Sequence, residues 1–208
     1  MNKSLSRVFL GFAIFACASL NPLAQGQPAV DAPAQFVSPA VGTTQADKPW
    51  EKFSPEGGGF TVLMPGTPTV TDQEVPFGDG KLVNHLYMVQ ANSSVYIASY
   101  AEFPMAVTDP AVIKAMLDNA RDKGVAAANG ELRSEKEIKL GENPGREWLV
   151  SIPGAGIARA RAYWVKQRLY QAFLLMPEGK GAEEEAAREA VMSKFLNSFA
   201  LISTDAPR

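Results

Sequence analysis

The chain has 208 residues, 46% of them hydrophobic and 20% charged, and these globular values exclude a wholly disordered chain and a coiled coil. Twenty basic residues against 22 acidic ones give a net charge of −2, without the basic excess of proteins that bind nucleic acid, so we expect no nucleic-acid partner. A single His and a single Cys exclude a closed zinc site built from these ligands, and we expect neither a metal nor a cofactor.

Residues 1–24 have the layout of a secretory signal peptide. Lys3 and Arg7 precede an uncharged apolar run at residues 8–18, and small residues and helix breakers follow up to Ala24. The apolar run is far shorter than the roughly 20 residues that span a bilayer, which argues against an uncleaved membrane anchor. We expect cleavage after Ala24 and a secreted or periplasmic protein with no transmembrane helix in its mature chain.

Cys17 leaves a second possibility open. Residues 14–17 (IFAC) resemble the lipobox of bacterial lipoproteins, in which the Cys becomes the acylated first residue. The bulk of Phe15 and the closeness of Arg7 to the Cys argue against this interpretation. A lipid anchor at Cys17 stays an alternative to a released chain.

The rest of the chain divides into a linker, one domain and a short tail. Residues 25–48 hold Pro28, Pro33 and Pro39 among Ala, Gln and Thr, a composition that cannot bury a core and predicts a flexible linker. Residues 49–202 form the predicted folded domain, and residues 203–208 form a C-terminal tail.

Apolar runs between turn residues predict two groups of four strands. They span residues 60–64, 69–77, 82–90 and 95–103, and then 132–140, 146–152, 157–167 and 169–176. Turn signals such as Gly78-Asp79-Gly80 and Asn92-Ser93 leave short loops, which indicate antiparallel pairing. A further break is expected near Arg168.

A helix is predicted after each group of strands. Thr108 or Asp109 can cap the first helix, Pro110 suits its first turn, and Gly124 or Gly130 ends it. Its apolar stripe comprises Val112, Ile113, Met116, Leu117 and Ala120. The second helix is expected at residues 182–199, with a buried stripe of Ala187, Val191, Phe195 and Phe199. This order predicts an α+β domain, an antiparallel sheet flanked by helices.

We find no catalytic motif in the sequence. His85, the single imidazole, lies in mid-strand in the same alternation set as Tyr87, where a structural role is the simpler interpretation. There is no Gly-x-Ser-x-Gly elbow, and residues 154–156 begin like a dinucleotide loop but lack its third Gly. We expect no enzyme and no catalytic or metal-binding residues, with an exported hydrolase that uses carboxylates as the alternative.

One cluster of polar residues on two neighbouring strands forms the candidate binding site. Arg146 and Glu147 open one strand, and Arg159 and Arg161 lie two residues apart on the next and therefore share a face. Pairing through the turn at residues 153–156 would bring Glu147 to Arg159 or Arg161. The pattern is typical of a solvated cross-strand ion pair, or of a basic patch that receives an acidic partner. Alanines at positions 158, 160 and 162 would let a helix approach the opposite face.

Aromatic residues on the same strands are expected to pack in the core. They are Trp148, Tyr163, Trp164 and Tyr170. A carbohydrate-binding platform would need several exposed, coplanar rings, so core packing is the simpler interpretation. We expect Trp148 and Trp164 to be largely buried between the sheet and a helix.

Four segments of the domain resemble PsbP-like domains, a group that includes DcrB-like proteins. The segments are residues 53–68 (FSPEGGGFTVLMPGTP), 143–147 (NPGRE), 167–170 (QRLY) with the Arg-rich strand before it, and 195–201 (FLNSFAL). The order of strands and helices also fits, and the resemblance covers residues 50–202. It implies an α/β/α sandwich and a binding or assembly protein without catalytic activity.

Together these observations predict an exported, non-catalytic domain that binds or scaffolds a partner in the cell envelope. The partner is expected to be an unknown protein or an acidic ligand.

Overall fold

The computed structural model describes residues 49–202. The predicted signal peptide, linker and C-terminal tail and the lipobox-like residues at Cys17 lie outside the described residues. Within residues 49–202, no helix combines the length and apolar character needed to cross a membrane.

The described chain contains ten strands and two helices. The strands are β1 (Glu51–Phe53), β2 (Phe60–Met64), β3 (Thr69–Phe77), β4 (Gly80–Ala91), β5 (Ser94–Glu102), β6 (Glu131–Leu140), β7 (Asn143–Ile152), β8 (Gly156–Val165), β9 (Arg168–Met176) and β10 (Ala200–Leu201), and the helices are α1 (Pro110–Ala127) and α2 (Ala182–Asn197). All eight strands and both helices that the sequence predicts are present. The sequence did not predict β1 and β10, which are too short to show an alternating pattern.

Seven strands form one antiparallel sheet in the order β3-β4-β5-β9-β8-β7-β6. Two meanders, β3-β4-β5 and β6-β7-β8-β9, lie side by side because β5 pairs with β9, and α1 connects them. Strands β1, β2 and β10 form a second, smaller antiparallel sheet. The α+β prediction is therefore confirmed: an antiparallel sheet is flanked by helices.

Tight turns set the register of the hairpins. Asn92 and Ser93, with φ of 48° and 59°, form the left-handed pair that a two-residue hairpin between β4 and β5 favours. Lys166, with φ of 57°, turns the chain between β8 and β9. The break expected near Arg168 therefore lies before this residue, which is the first of β9.

Helix α1 begins at one of the two predicted caps. The carboxylate of Asp109 accepts hydrogen bonds from the backbone N–H of Ala111 at 2.8 Å and of Val112 at 3.3 Å, which satisfies two of the donors that a helix start leaves open. The helix continues past Gly124, one of the two glycines expected to end it, and ends at Ala127.

The apolar face of α1 packs on one face of the large sheet, against β7 and β8. Its buried residues share one core with the small side chains that alternate along β8, and the members are Ile113, Leu117, Ala120, Ala158, Ala160 and Ala162. The small alanines leave room for the helix, as their alternation along the strand predicts.

The opposite face of the large sheet is covered by α2 and the small sheet. Phe60 of β2 stacks on Phe199, with ring centroids 4.9 Å apart, and both side chains are buried. Ser198 joins α2 to β2, because its hydroxyl donates to the carbonyl of Phe195 at 2.6 Å and accepts from the N–H of Leu63 at 2.8 Å. Each face of the large sheet thus carries a core and a helix.

The buried stripe of α2 differs from the prediction. The buried residues, all in the C-terminal half of the helix, are Met192, Phe195 and Leu196. Ala187 is exposed, Val191 is half-buried, and Phe199 is buried but lies beyond the helix end. The prediction was wrong because no residue in the first half of α2 is buried, so the alanines there face no core.

Trp148 and Trp164 are buried, as predicted. They expose 1% and 2% of their surfaces and lie in the core between α1 and the large sheet. The indole N–H of Trp164 donates to the carbonyl of Val107 at 3.1 Å. This bond holds the segment before α1 against the sheet.

Candidate functional site

The four predicted binding residues lie on opposite faces of the large sheet. Glu147, Arg159 and Arg161 face α2, whereas Arg146 faces α1, because neighbouring residues of a strand point to opposite sides. Their contacts show this division: Arg161 reaches residues of α2, and Arg146 reaches Asp118 of α1. The structure therefore brings three of the four together and separates Arg146 from them.

Arg161 and Glu147 are opposite one another on β8 and β7. The Nε of Arg161 donates to Oε2 of Glu147 at 2.6 Å, and its Nη1 donates to the carbonyl of Leu196 at 3.1 Å and to Oδ1 of Asn197 at 2.9 Å. The Nζ of Lys136 lies 2.9 Å from the other oxygen of Glu147. Burial would raise the pKa of Glu147, but these two hydrogen bonds lower it below its ordinary value.

Arg159 is bound to α2 by a two-pronged contact. Its Nη1 and Nη2 donate to Oε1 and Oε2 of Glu189 at 2.6 and 2.7 Å, the bidentate geometry that suits a guanidinium and a carboxylate. The hydrogen bonds raise the pKa of Arg159 and lower that of Glu189. The arginines of β8 thus already bind acceptors within the protein, and they tie α2 to the sheet.

Arg146 is buried, with 6% of its surface exposed, and its hydrogen bonding is incomplete. Its Nη2 forms an ion pair with Asp118, its Nη1 reaches Oε2 of Glu135 only at 3.5 Å, and its Nε has no hydrogen-bond partner among residues 49–202. Burial would raise the pKa of Asp118, but the hydrogen bond from Lys114 and the charge of Arg146 lower it. The carboxylates of Asp118, Glu135 and Glu137 thus lie near this buried cation and meet its charge.

A groove of about 650 Å³ lies beside Arg146, between the first half of α1 and strands β6 and β7. The residues that line it are Thr108, Pro110, Ile113, Lys114, Leu117, Glu137, Ile138, Lys139, Pro144, Gly145 and Arg146. Three of these side chains are cationic and one is anionic. Within the described part of the chain, Lys139 forms no ion pair. Two of the cationic side chains, Lys114 and Arg146, are paired with Asp118.

A second polar cluster lies on the α2 side of the large sheet. The Nδ1 of His85 lies 2.7 Å from Oδ1 of Asp72, and the ring of His85 stacks on Tyr100 with centroids 4.6 Å apart. Arg168 lies over the same Tyr ring at 5.3 Å and donates from Nη1 to the carbonyl of Gly57 at 2.8 Å. The hydrogen bond from Arg168 holds the loop before β2 to the sheet, whereas His85 contacts Asp72 and Tyr100 on the neighbouring strands.

The tyrosines of this cluster are poor acids. Burial, the charges of Tyr100 and Asp72, and a hydrogen bond with Tyr100 raise the pKa of Tyr87 to about 12. Burial likewise raises the pKa of Tyr100. Both hydroxyls are neutral near pH 7. Across residues 49–202, no group of three or more His, Cys, Asp or Glu side chains is placed to hold a metal ion.

Sequence reasoning missed both the groove and the His85 cluster. The register explains the cluster, since Asp72, His85, Tyr100, Tyr170 and Tyr163 occupy one continuous row across five strands. The turn signals alone contain enough information to predict most of this row. The groove depends on where α1 crosses the sheet, and no local pattern encodes that position.

A comparison with solved structures matches this chain to PsbP of the cyanobacterium Synechocystis sp. PCC 6803. The match covers 80% of this chain and 98% of that chain, with 13% sequence identity and a TM-score of 0.48. No protein-family model matches the chain, and no curated protein shows significant similarity to it.

Proposed function

We propose that this chain is exported and acts as a non-catalytic, PsbP-like domain that binds or scaffolds an acidic partner in the cell envelope. The basic, apolar and small-residue order of residues 1–24 supports export. The groove between α1 and the β6-β7 hairpin is the proposed binding surface.

The groove is the observation that carries the proposal, because it is a concave surface of about 650 Å³ whose lining includes three cationic side chains and one anionic side chain. Arg146 lines this groove, but it is almost fully buried and its charge is already met by Asp118, Glu135 and Glu137. Arg side chains are well suited to carboxylate and phosphate groups. Lys114 is paired with Asp118, whereas Lys139 forms no ion pair within residues 49–202 and so favours an acidic partner.

The arginines of β8 have a different role in this proposal. Arg159 and Arg161 are committed to Glu189 and Glu147, so an incoming acidic group would have to displace a carboxylate that is already in place. We therefore assign Glu147, Arg159 and Arg161 to the attachment of α2, and we place the proposed binding surface in the groove on the other face of the sheet.

Site-specific photo-crosslinking tests the proposal. A photo-reactive amino acid replaces Lys139 in the groove or, as the matched control, Lys123 on α1. Lys123 is exposed and lies about two and a half helical turns after Lys114, which places it on the opposite side of α1. Irradiation of cells that export the chain should yield an adduct from position 139 and none from position 123, measured by intact mass and by gel mobility. Absence of an adduct at position 139, or equal adducts at both positions, would overturn the groove as the binding surface.

A further inference from the structure

We infer that Met105 is a site of reversible oxidation, at which a hydroperoxide converts the thioether into a sulfoxide while the domain stays folded. This inference goes beyond the proposed function and does not depend on the groove. Met105 lies in the segment between β5 and α1 and exposes 64% of its surface. Among the large hydrophobic residues of 49–202, no other is as exposed.

The other methionines of residues 49–202 are shielded from a dissolved oxidant. Met64 and Met192 expose 0% and 1% of their surfaces, and both belong to the core on the α2 side of the large sheet. The half-buried methionines are Met88, Met116 and Met176. Oxidation favours accessible sulfur, and a core residue is reached only when the structure opens locally. Met105 should therefore react first.

The backbone around Met105 is held without help from its side chain. The N–H of Phe103 donates to the carbonyl of Gln167 at 2.8 Å, and the carbonyl of Val107 accepts from the indole of Trp164 at 3.1 Å. Met105 belongs to neither hydrophobic core of residues 49–202. A sulfoxide disrupts a structure when it places a polar group in a core, so a sulfoxide at this position leaves the fold intact.

The reaction transfers one oxygen atom from the hydroperoxide to sulfur. With hydrogen peroxide, the sulfur lone pair forms the S–O bond, the O–O bond breaks, and the leaving hydroxide takes the proton of the transferred oxygen and departs as water. Sulfur loses two electrons and the peroxide gains them. A methionine sulfoxide reductase reverses the change: two thiols become a disulfide, and the oxygen leaves as water. The exposed apolar side chain thus becomes polar and returns to its first state.

Peroxide treatment of the full chain, followed by digestion and mass spectrometry, tests the inference. Trypsin together with a protease that cleaves after Glu places Met105 in a peptide of residues 103–114, which contains no other Met. We expect this peptide to gain one oxygen atom about ten-fold or more faster than the peptides of Met64 and Met192, which react only after local opening. Equal rates at the three positions would overturn the inference.

Two Leu variants of similar volume assign the fast reaction. Met105→Leu should remove the fast gain of oxygen from the intact mass of the folded chain. Met192→Leu is the matched control and should keep it. A fast gain that survives Met105→Leu would place the reactive sulfur elsewhere and would overturn the inference.

Circular dichroism and urea denaturation test whether the oxidised domain stays folded. A chain oxidised at Met105 alone should keep the spectrum and the urea midpoint of the reduced chain, and a reductase with dithiothreitol should remove the oxygen from the folded protein. A loss of the native spectrum on oxidation would overturn the inference. So would removal of the oxygen from the urea-unfolded chain alone, because the modification would then not be reversible in the native state.

Discussion

Arg161 donates to Glu147 across β8 and β7 at 2.6 Å, and the same guanidinium reaches the carbonyl of Leu196 at the end of α2. One side chain therefore joins two strands to the helix above them. Arg159 repeats the connection to α2 through Glu189. The polar residues on this face of the sheet act as attachments between layers, and the proposed binding surface lies on the other face.

Arg161→Gln should destabilise the fold much more than Arg159→Gln. Glu147 exposes 9% of its side chain, and removal of Arg161 leaves its buried carboxylate with Lys136 alone. Breaking a buried pair costs about 3–5 kcal/mol, and we expect about 3 kcal/mol because Lys136 remains. Arg159 pairs with Glu189, whose side chain is 54% exposed, so its loss should cost about 0.5–1 kcal/mol. Urea denaturation measures both, and equal losses would contradict the assigned roles.

Stability should fall in acid, and Glu147 should account for part of the loss. Burial acts to raise the pKa of Glu147, but its bonds with Lys136 and Arg161 lower it below the ordinary value of 4.5. The unfolded chain therefore takes up a proton first as the pH falls. The stabilisation is complete above pH 4.5 and is lost as the pH drops through the folded pKa.

Glu147→Gln should thus show a smaller decrease in unfolding free energy between pH 5 and pH 3 than the wild type. The control is Glu183→Gln at the exposed start of α2, which should keep the wild-type slope. If Glu147→Gln also keeps that slope, the ion pair does not stabilise the native state.

Trp164→Ala and Trp148→Ala should each cost roughly 3–5 kcal/mol of unfolding free energy, as large aromatic truncations in cores do. Trp164→Phe should lose about 1 kcal/mol through its hydrogen bond to Val107, in addition to the effect of the smaller ring. Losses below about 1 kcal/mol for both Ala variants would contradict their burial in the core between α1 and the sheet.

Intact mass of the protein recovered from the envelope tests export. We expect a chain that begins at Gln25, since residues 1–24 have the order of a cleaved signal peptide. A full-length mass would contradict export by this signal. A chain that begins at Cys17 with added acyl mass would establish the lipoprotein alternative.

Much of the fold follows from the sequence because turn residues and alternation act locally. Asn92-Ser93 marks a hairpin, and Asp109-Pro110 marks a helix start, without reference to the rest of the chain. The stripe of α2 was mispredicted because burial depends on how far the helix overlies the sheet. The spacing of apolar residues along a helix does not show how much of that helix overlies the sheet.

The candidate site was predicted less well, for two physical reasons. The separation of Arg146 from Glu147 follows from simple alternation along β7, and a prediction that applied this rule would have placed them on opposite faces. The pairing of Arg159 with Glu189 brings together residues 30 positions apart, and it depends on the packing of α2. Whether a cationic side chain is free or already bound is decided by such tertiary contacts.

The yield of the photo-adduct at position 139 in chains with a second substitution tests the central claim most directly. We expect Lys114→Glu, which reverses a charge in the groove lining, to abolish most of the adduct. Arg159→Gln, on the opposite face of the sheet, should leave the yield unchanged. An adduct that survives Lys114→Glu and disappears with Arg159→Gln would contradict the account and return the binding site to the arginines of β8.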